Sequence, residues 1–396
     1  MFKKVCLLSC HNQYEAKRYF TLKLSEAFNR KGIDTLILSW DTGAMPEKIV
    51  DVLKKETYDF TCSFHALPTQ SNEKYFWNSL EKPHLTMLLD PAFYDLELMQ
   101  SAWSIISCVD RDDCALLQSY HFENVFFFPH AIERELLEEK HSDEEKDLDV
   151  VMLATCYDPE NLRAHWKKTY PAKIVELLDE TCELVLSDRK IPFWRALPQV
   201  LVQNEIELHD VPFDQLAYYV DEYTRGVDRL RLIRSIKNIP VHIFGGICWR
   251  EEKPIADWVH YLSHQSNVTI HPPVNFNEAL QIMKRSKICL NSMPFFKNGS
   301  HERIFAAFAC GALPLTSENL YLKEQFEEDR ELLFYHFQDM SDVENKIRHY
   351  LRDQTLRKDA IISAQAKIKL SHTWDSRVEL LLIELPAILN KFYQHH

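Results

Sequence analysis

Short β-favouring apolar runs, each closing on a polar or titratable residue and separated from the next by a helical stretch, constrain this chain most. The first series covers residues 5–9, 35–40, 60–64, 85–89, 105–109 and 125–128. The residues that follow are His11, Asp41, His65, Asp90, Asp110 and His130. Between the first two runs, Phe20, Leu24, Ala27 and Phe28 fall on one face of a helix that Gly32 ends, because glycine takes a left-handed backbone without a side-chain clash. Unbroken apolar strands joined by helices predict parallel βαβ units with both sheet faces covered. Ligands in such folds bind at the carboxyl ends of the strands, so the polar residues there form the pool of catalytic candidates.

A second series begins after residues 133–149, which carry nine acidic and three basic residues and are expected to be a solvated hinge. Its strands are expected at 150–154, 241–244, 268–270, 288–290 and 313–315, with helices at 277–285, 301–310 and 341–352. Residues 160–236 are mostly helical in spacing and hold the aromatic cluster Phe213, Tyr218, Tyr219 and Tyr223, which at that spacing suits a core better than a sugar platform. The pattern predicts an α/β chain of two domains, 1–132 and 150–370, with an amphipathic final helix in 371–396.

Composition narrows the partners. With 46 Lys and Arg against 59 Asp and Glu, the net charge of −13 disfavours holding a nucleic-acid backbone by bulk charge. No stretch reaches the roughly 18 apolar residues of a membrane span. The start of the sequence is too short in apolar residues for a secretory signal. Ten cysteines without a C-x-x-C pair or framework spacing suit reduced thiols, so a cytoplasmic location and no metal site are expected.

The richest motif runs from Lys297-Asn298-Gly299 through Ser300, His301, Glu302 and Arg303 to Ala306, Ala307, Ala309 and Gly311. A helix opening near Ser300 presents unpaired N–H groups, and Arg303 with Lys297 would neutralise a diphosphate there. The same residues also fit a plain serine cap, a surface ion pair and close helix–sheet packing. Gly245-Gly246, two of only seven glycines, suggest close backbone approach to a nucleotide. Tyr157, Asp158 and Arg163 occupy another strand-to-helix loop, which suits an ordinary connection better than a phosphate contact.

Lys287-Ile288-Cys289-Leu290-Asn291, Arg303 leading into Ala307-Phe308-Ala309-Cys310-Gly311, Leu333-Phe334-Tyr335, and His372-Thr373-Trp374 with Arg377 together resemble the C-terminal domain of CgeB-like (spore-maturation-protein-like) glycosyltransferases. Leu88-Leu89-Asp90-Pro91, Ser107-Cys108-Val109-Asp110, Phe127-Phe128-Pro129-His130-Ala131 and Ile243-Phe244-Gly245-Gly246 before Trp249 extend the likeness over residues 85–385. The resemblance implies a GT-B architecture of two Rossmann-like domains, with the C-terminal helix crossing back to the N-terminal domain and Trp374 anchoring it. It further implies transfer of a sugar from a nucleotide-diphosphate donor to an acceptor in the interdomain cleft, without metal or separate cofactor. The acceptor would be a glycan, a lipid-linked glycan or a protein.

On this reading Gly245, Gly246, Lys297, Asn298, Gly299, Ser300, Glu302 and Arg303 hold the donor, with Arg250 as an addition. His11 is the first candidate base, followed by Asp90 and Asp110, because an inverting transfer needs a group to take the acceptor's proton. The family's ribose-binding glutamate is replaced by Ala306, with Glu302 one turn earlier. That departure motivates the alternative of an inactive GT-B-like binding protein; a nucleotide-sugar epimerase is the other alternative.

Overall fold

The computed structural model describes residues 2–12, 14–69, 73–246, 248–250 and 253–394, and their side chains except at 73–74, 248–250, 253–256 and 394. The first six strands are β1 (Lys4–Cys10), β2 (Asp34–Trp40), β3 (Phe60–Phe64), β4 (His84–Met87), β5 (Ser104–Cys108) and β6 (Val125–Phe127). They form one sheet in the order β2-β1-β3-β4-β5-β6, with every pair parallel. The apolar runs are its buried centre: Val5, Cys6, Phe60, Leu85, Ile105 and Ile106 are sealed from solvent. The helix Ala16–Arg30 turns Phe20, Leu24, Ala27 and Phe28 into that core and ends as expected at Gly32, whose φ is +74°.

The second series gives β7 (Leu148–Leu153), β8 (Val241–Phe244), β9 (Cys248–Arg250), β10 (Lys253–Ala256), β11 (Val268–His271), β12 (Ser286–Leu290), β13 (Leu313–Ser317) and β14 (Leu333–Tyr335). β9 and β10 pair as a small antiparallel ribbon. The other six form a parallel sheet in the order β11-β8-β7-β12-β13-β14, a doubly wound arrangement. Between β7 and β8 the chain builds a helical layer from Pro159–Thr169, Ala172–Ser187, Phe193–Gln203 and Phe213–Ser235. Tyr219 and Tyr223 pack on Trp166 in this layer, at 6.2 and 5.0 Å between ring centroids, so these two tyrosines serve as core. No described helix is long and apolar enough to cross a membrane, and no disulfide joins the described cysteines.

Contacts divide the chain into two compact units, Met1–Glu139 with Ser300–Phe305 and Ala366–His396, and Lys140–Gly299 with Ala306–Gln365. The block expected at 150–370 is thus interrupted. Ser300 groups with the first unit because its amide donates to the Val109 carbonyl at 3.0 Å and its hydroxyl accepts from the His130 amide at 2.8 Å. The division after Glu139 falls inside the acidic segment, most of which is exposed, while a few of its side chains are packed. Glu133 is buried and accepts from the Tyr19 hydroxyl, Leu136 is buried within a short helix, and Lys146 donates to the carbonyls of Lys284 and Ser286, both at 2.9 Å. The final helix, Trp374–Gln394, packs on the first unit as expected. Trp374 lies against Phe20 and Phe64 at 5.7 and 5.6 Å, and Arg30 grips Asp375 with two bonds of 2.7 Å.

Candidate active site

In the first sheet, strand order reverses at β1, which places the crevice for a ligand outside the carboxyl ends of β1 and β3. A cavity of about 120 Å³ opens there, lined by Cys10, His11 and Lys17 on one side and Phe64, Ala66 and Leu67 on the other. His11 is half exposed at its mouth, paired through Nδ1 with Glu15 four residues on. His65 follows β3 in a left-handed conformation, φ +63°, which costs energy for a residue carrying a Cβ. Its ring is buried. Nε2 lies 3.1 Å from Asp90 Oδ2 and Nδ1 lies 3.6 Å from Asp95 Oδ2.

Burial alone would lower the His65 pKa, but the hydrogen bonds and charges of Asp90 and Asp95 outweigh it and the net shift is upward. When the ring is neutral, the Leu89 amide donates to Nε2 at 3.3 Å; when it is protonated, Nε2 donates to Asp90. Either way the imidazole edge is fixed beside Asp90, whose own side chain is 56% exposed. Lys17 is the nearby cation, its pKa lowered by burial against the pull of Asp90 and Asp95.

A second cluster in the same unit joins the loop after β6 to Ser300–Phe305. Ser300 Oγ accepts from the His130 amide and lies 3.1 Å from His130 Nδ1. Glu302 Oε2 lies 2.8 Å from His301 Nδ1 and 3.6 Å from His130 Nε2. Burial pushes both imidazoles toward the neutral form, His130 to about 4. Burial works against the Glu302 carboxylate too, but His301, Arg303 and His130 outweigh it and hold the acid ionised. Asp90 is close enough for its charge to act on both His130 and His301. The polar edge of this sheet is therefore one electrostatic neighbourhood running from Lys17 to Arg303.

The second sheet reverses its strand order at β7, and the helix Phe213–Ser235 brings buried charges to that end. Arg225 is bonded to Asp221 at 2.8 Å and lies over the Phe295 ring at 3.7 Å. Arg229 lies over the Tyr157 ring at 4.8 Å and donates to the Thr155 carbonyl at 2.6 Å. Asp228 accepts from Ser292 and Tyr335 at 2.5 and 2.6 Å, and burial raises its pKa to about 6. Among the described residues, no three His, Cys, Asp or Glu side chains gather as a metal-binding set.

The glycosyl transferase-like family model matches residues 184–383, just over half of the chain. The chain belongs to this family. No curated protein matches its sequence. Among solved structures, sucrose-phosphate synthase from Thermosynechococcus elongatus matches at a TM-score of 0.57 and 11% identity, with 100% of each chain covered. HepE of Anabaena in complex with UDP-glucose matches at 0.56 and 9%, covering 98% of this chain and 100% of that one. An α-glucosyltransferase in complex with UDP and a 13-mer DNA matches at 0.54 and 11%, covering 98% and 99%. At these identities the likeness is one of fold: two parallel sheets with flanking helices, the GT-B architecture.

Within this glycosyl transferase-like chain, several expected site residues have other duties. Lys297 is fully buried and donates to the Val185 and Asp188 carbonyls at 2.7 and 3.0 Å. It neutralises the carboxyl end of the helix Ala172–Ser187, where carbonyls lack intrahelical partners, so it is not a diphosphate ligand. Ser300 is committed to the Val109 carbonyl and the His130 amide, and the Ile304 amide donates to the His301 carbonyl at 3.2 Å, so the helix opening is partly satisfied by its own neighbours. Glu302 is engaged by the two imidazoles. Asn298 is half-buried and Gly299 buried. Arg303 keeps its side chain 25% exposed beside Glu302, the one charged member of the motif still placed to meet an anion. Asp110 caps the helix Arg111–Ser119 by accepting from the Asp112 amide at 2.7 Å, which commits one carboxylate oxygen of this buried side chain to the backbone.

Gly245 does mark a close approach, but to the protein itself. A Cβ there would lie 2.0 Å from the Ala154 carbonyl oxygen and 2.5 Å from the Trp258 indole nitrogen, while the Gly246 carbonyl accepts from Cys156 at 3.0 Å. Gly245→Ala is expected to destabilise the fold by about 2–3 kcal/mol, the upper part of the range for overpacking, because the obstructing atom is backbone. Chemical denaturation checks this, and an unchanged midpoint would show that the β7 and β8 ends relax freely. Asp158 caps Pro159–Thr169 and Arg163 pairs with Asp179 at 2.7–2.9 Å, an ordinary connection as read. The Arg250 and Trp249 side chains lie outside those described. The buried Asp221, Arg225, Asp228 and Arg229 were not singled out; their signal was charge at helical spacing within an apolar face. Lys17 and Asp95 were also missed, being one or two turns past a strand end.

Proposed function

We propose that this chain transfers a sugar from a nucleotide-diphosphate donor to an acceptor hydroxyl, with Asp90 as the catalytic base and His65 as its positioning residue. The observation that carries the reading is the His65 ring fixed between Asp90 and Asp95 at a strand-order reversal, in a chain of the glycosyl transferase-like family. A nucleoside diphosphate donor is supported by the UDP and UDP-glucose held by structures of the same fold. The ordered motifs between residues 85 and 385 support the CgeB-like branch.

In the proposed step the acceptor oxygen attacks the anomeric carbon, its proton passes to Asp90, and the bond to the diphosphate breaks. The small cavity beside His11 and Lys17 seats the acceptor's hydroxyl-bearing end, with the His65 imidazole fixing the carboxylate's orientation and Lys17 supplying a nearby positive charge. Arg303 faces the departing diphosphate as a charged donor, with no metal or separate cofactor in the step.

Arg303→Ala is expected to weaken nucleoside-diphosphate binding by about 1–3 kcal/mol, the range for a hydrogen bond to a charged group. Calorimetry with UDP and other nucleoside diphosphates measures this, and an unchanged dissociation constant would remove Arg303 from the donor site. Conversion of the nucleotide sugar with no acceptor present would point to an epimerase, and donor binding without turnover to a binding protein.

A further inference from the structure

We infer that a cationic groove on the helical layer of the second unit binds an extended phosphate-bearing polymer, a function separate from the proposed sugar transfer. The helices Pro159–Thr169 and Phe213–Ser235 pack together. Arg163 and Lys167, four apart on one, and Arg231 and Arg234, three apart on the other, line a cavity of about 420 Å³ between them. Its floor is apolar, made by Tyr223, Val227 and Leu230. Arg231 and Arg234 also line a second cavity of about 940 Å³ that continues to Lys237 and the segment 337–345.

The charges are arranged for an anion. Lys167 and Arg231 are exposed, and among the described residues no carboxylate pairs with either. Arg234 donates only weakly, to the Tyr261 carbonyl at 3.3 Å. Arg163 is held in place by Asp179 and presents its remaining edge. Glu160 and Glu183 are the acids on the rims. The third acid, Glu344, is spent: it accepts from the Lys237 and Asn238 amides at 2.6 and 3.2 Å and pairs with Arg348.

In a chain of net charge −13, exposed cations left without carboxylates make a local site that bulk charge would otherwise oppose. Two cavities that share Arg231 and Arg234 in their linings place cations over a length greater than one phosphate requires. The concavity and the half-buried floor suit a flexible chain lying in the groove better than a flat membrane surface.

The test is calorimetric titration of the full chain with long-chain inorganic polyphosphate, with orthophosphate and with phosphatidylglycerol vesicles, over a range of salt. Polyphosphate is expected to bind in a salt-dependent manner while the other two do not. The double variant R231E/R234E is expected to bind about tenfold or more weakly and to lower the salt slope by about two, one for each phosphate no longer neutralised. K167E alone, on the facing helix, is expected to weaken binding in the same direction, and unchanged melting temperatures show that the variants remain folded. The proposal is overturned if polyphosphate fails to bind at low salt, if the variants bind it like the parent, or if orthophosphate or vesicles bind as tightly and are lost with the same residues.

Discussion

Replacing Asp90 with asparagine is expected to lower the rate of sugar transfer by about 10²–10⁴-fold, the contribution of a positioned general base, or about 3–5 kcal/mol in the barrier. Nucleoside-diphosphate affinity should stay at the parent value, since Asp90 belongs to the acceptor side of the proposed step. The substitution keeps size and hydrogen-bonding shape and removes only the charge. That charge has a second readout. Asp90 is one of two carboxylates that raise the His65 pKa against the effect of burial, so in the variant the imidazole should titrate at lower pH than in the parent, as followed by NMR.

The sign on stability is fixed as well. A histidine whose folded pKa is raised contributes stability that is fully present below its ordinary value, about 6.5, and is lost as pH rises through the raised folded value. Asp90→Asn should therefore destabilise the fold more at mildly acid pH than above the raised pKa. Turnover within about twofold of the parent would remove Asp90 as the base. A His65 titration unmoved by the substitution would show separately that the ring is not coupled to it.

The strands were legible because each is a local signal: a buried parallel strand must be apolar on both faces, and the runs at 60–64 and 241–244 coincide with β3 and β8. The strand-end rule likewise pointed to Asp90 and His65, since the polar residue after an apolar run has nowhere to go but the sheet's edge. The site's finer assignments failed where a side chain's partner is distant in sequence. Lys297 and Arg303 are six residues apart and look alike in charge. One is drawn to carbonyls at Val185 and Asp188, more than a hundred residues earlier, and the other stays partly exposed. Asp110 stood among the candidate bases, and only the 2.7 Å bond from the Asp112 amide reveals its part as a helix cap. Gly245 was correctly seen as a close approach, but the approaching group was the protein's own backbone.

Arg377→Met is expected to be the most damaging single change to the fold of the first unit, by about 3–5 kcal/mol. Arg377 stands in the first turn of the final helix, and side chains there lean back toward the helix's N-terminus. That direction delivers its guanidinium to the Ser371 carbonyl at 2.6 Å and the His372 ring at 3.0 Å on its own strand of chain. The same planar fork donates to the carbonyls of Pro129 and His130 at 2.5 and 2.9 Å, in the loop after β6. Apart from the exposed Ser371, all of this is buried, with Arg377 itself 4% exposed. Methionine fills most of the volume but takes the donor from two buried carbonyls, those of Pro129 and His130, each costing about 1–3 kcal/mol and not fully additive. A thermal melt should fall by roughly 10 °C on the scale of about 2–4 °C per kcal/mol for a unit of this size. Arg377→Lys should lie between, since an ammonium keeps the charge but cannot span both chain segments at once. Because the loop so held also carries His130 beside Ser300 and Glu302, the lysine variant should lose transfer activity beyond its loss of stability. A melt within about 2 °C of the parent for the methionine variant would show that these carbonyls find water instead, and that the helix's other contacts, among them Trp374 on Phe20 and Arg30 on Asp375, suffice to hold it.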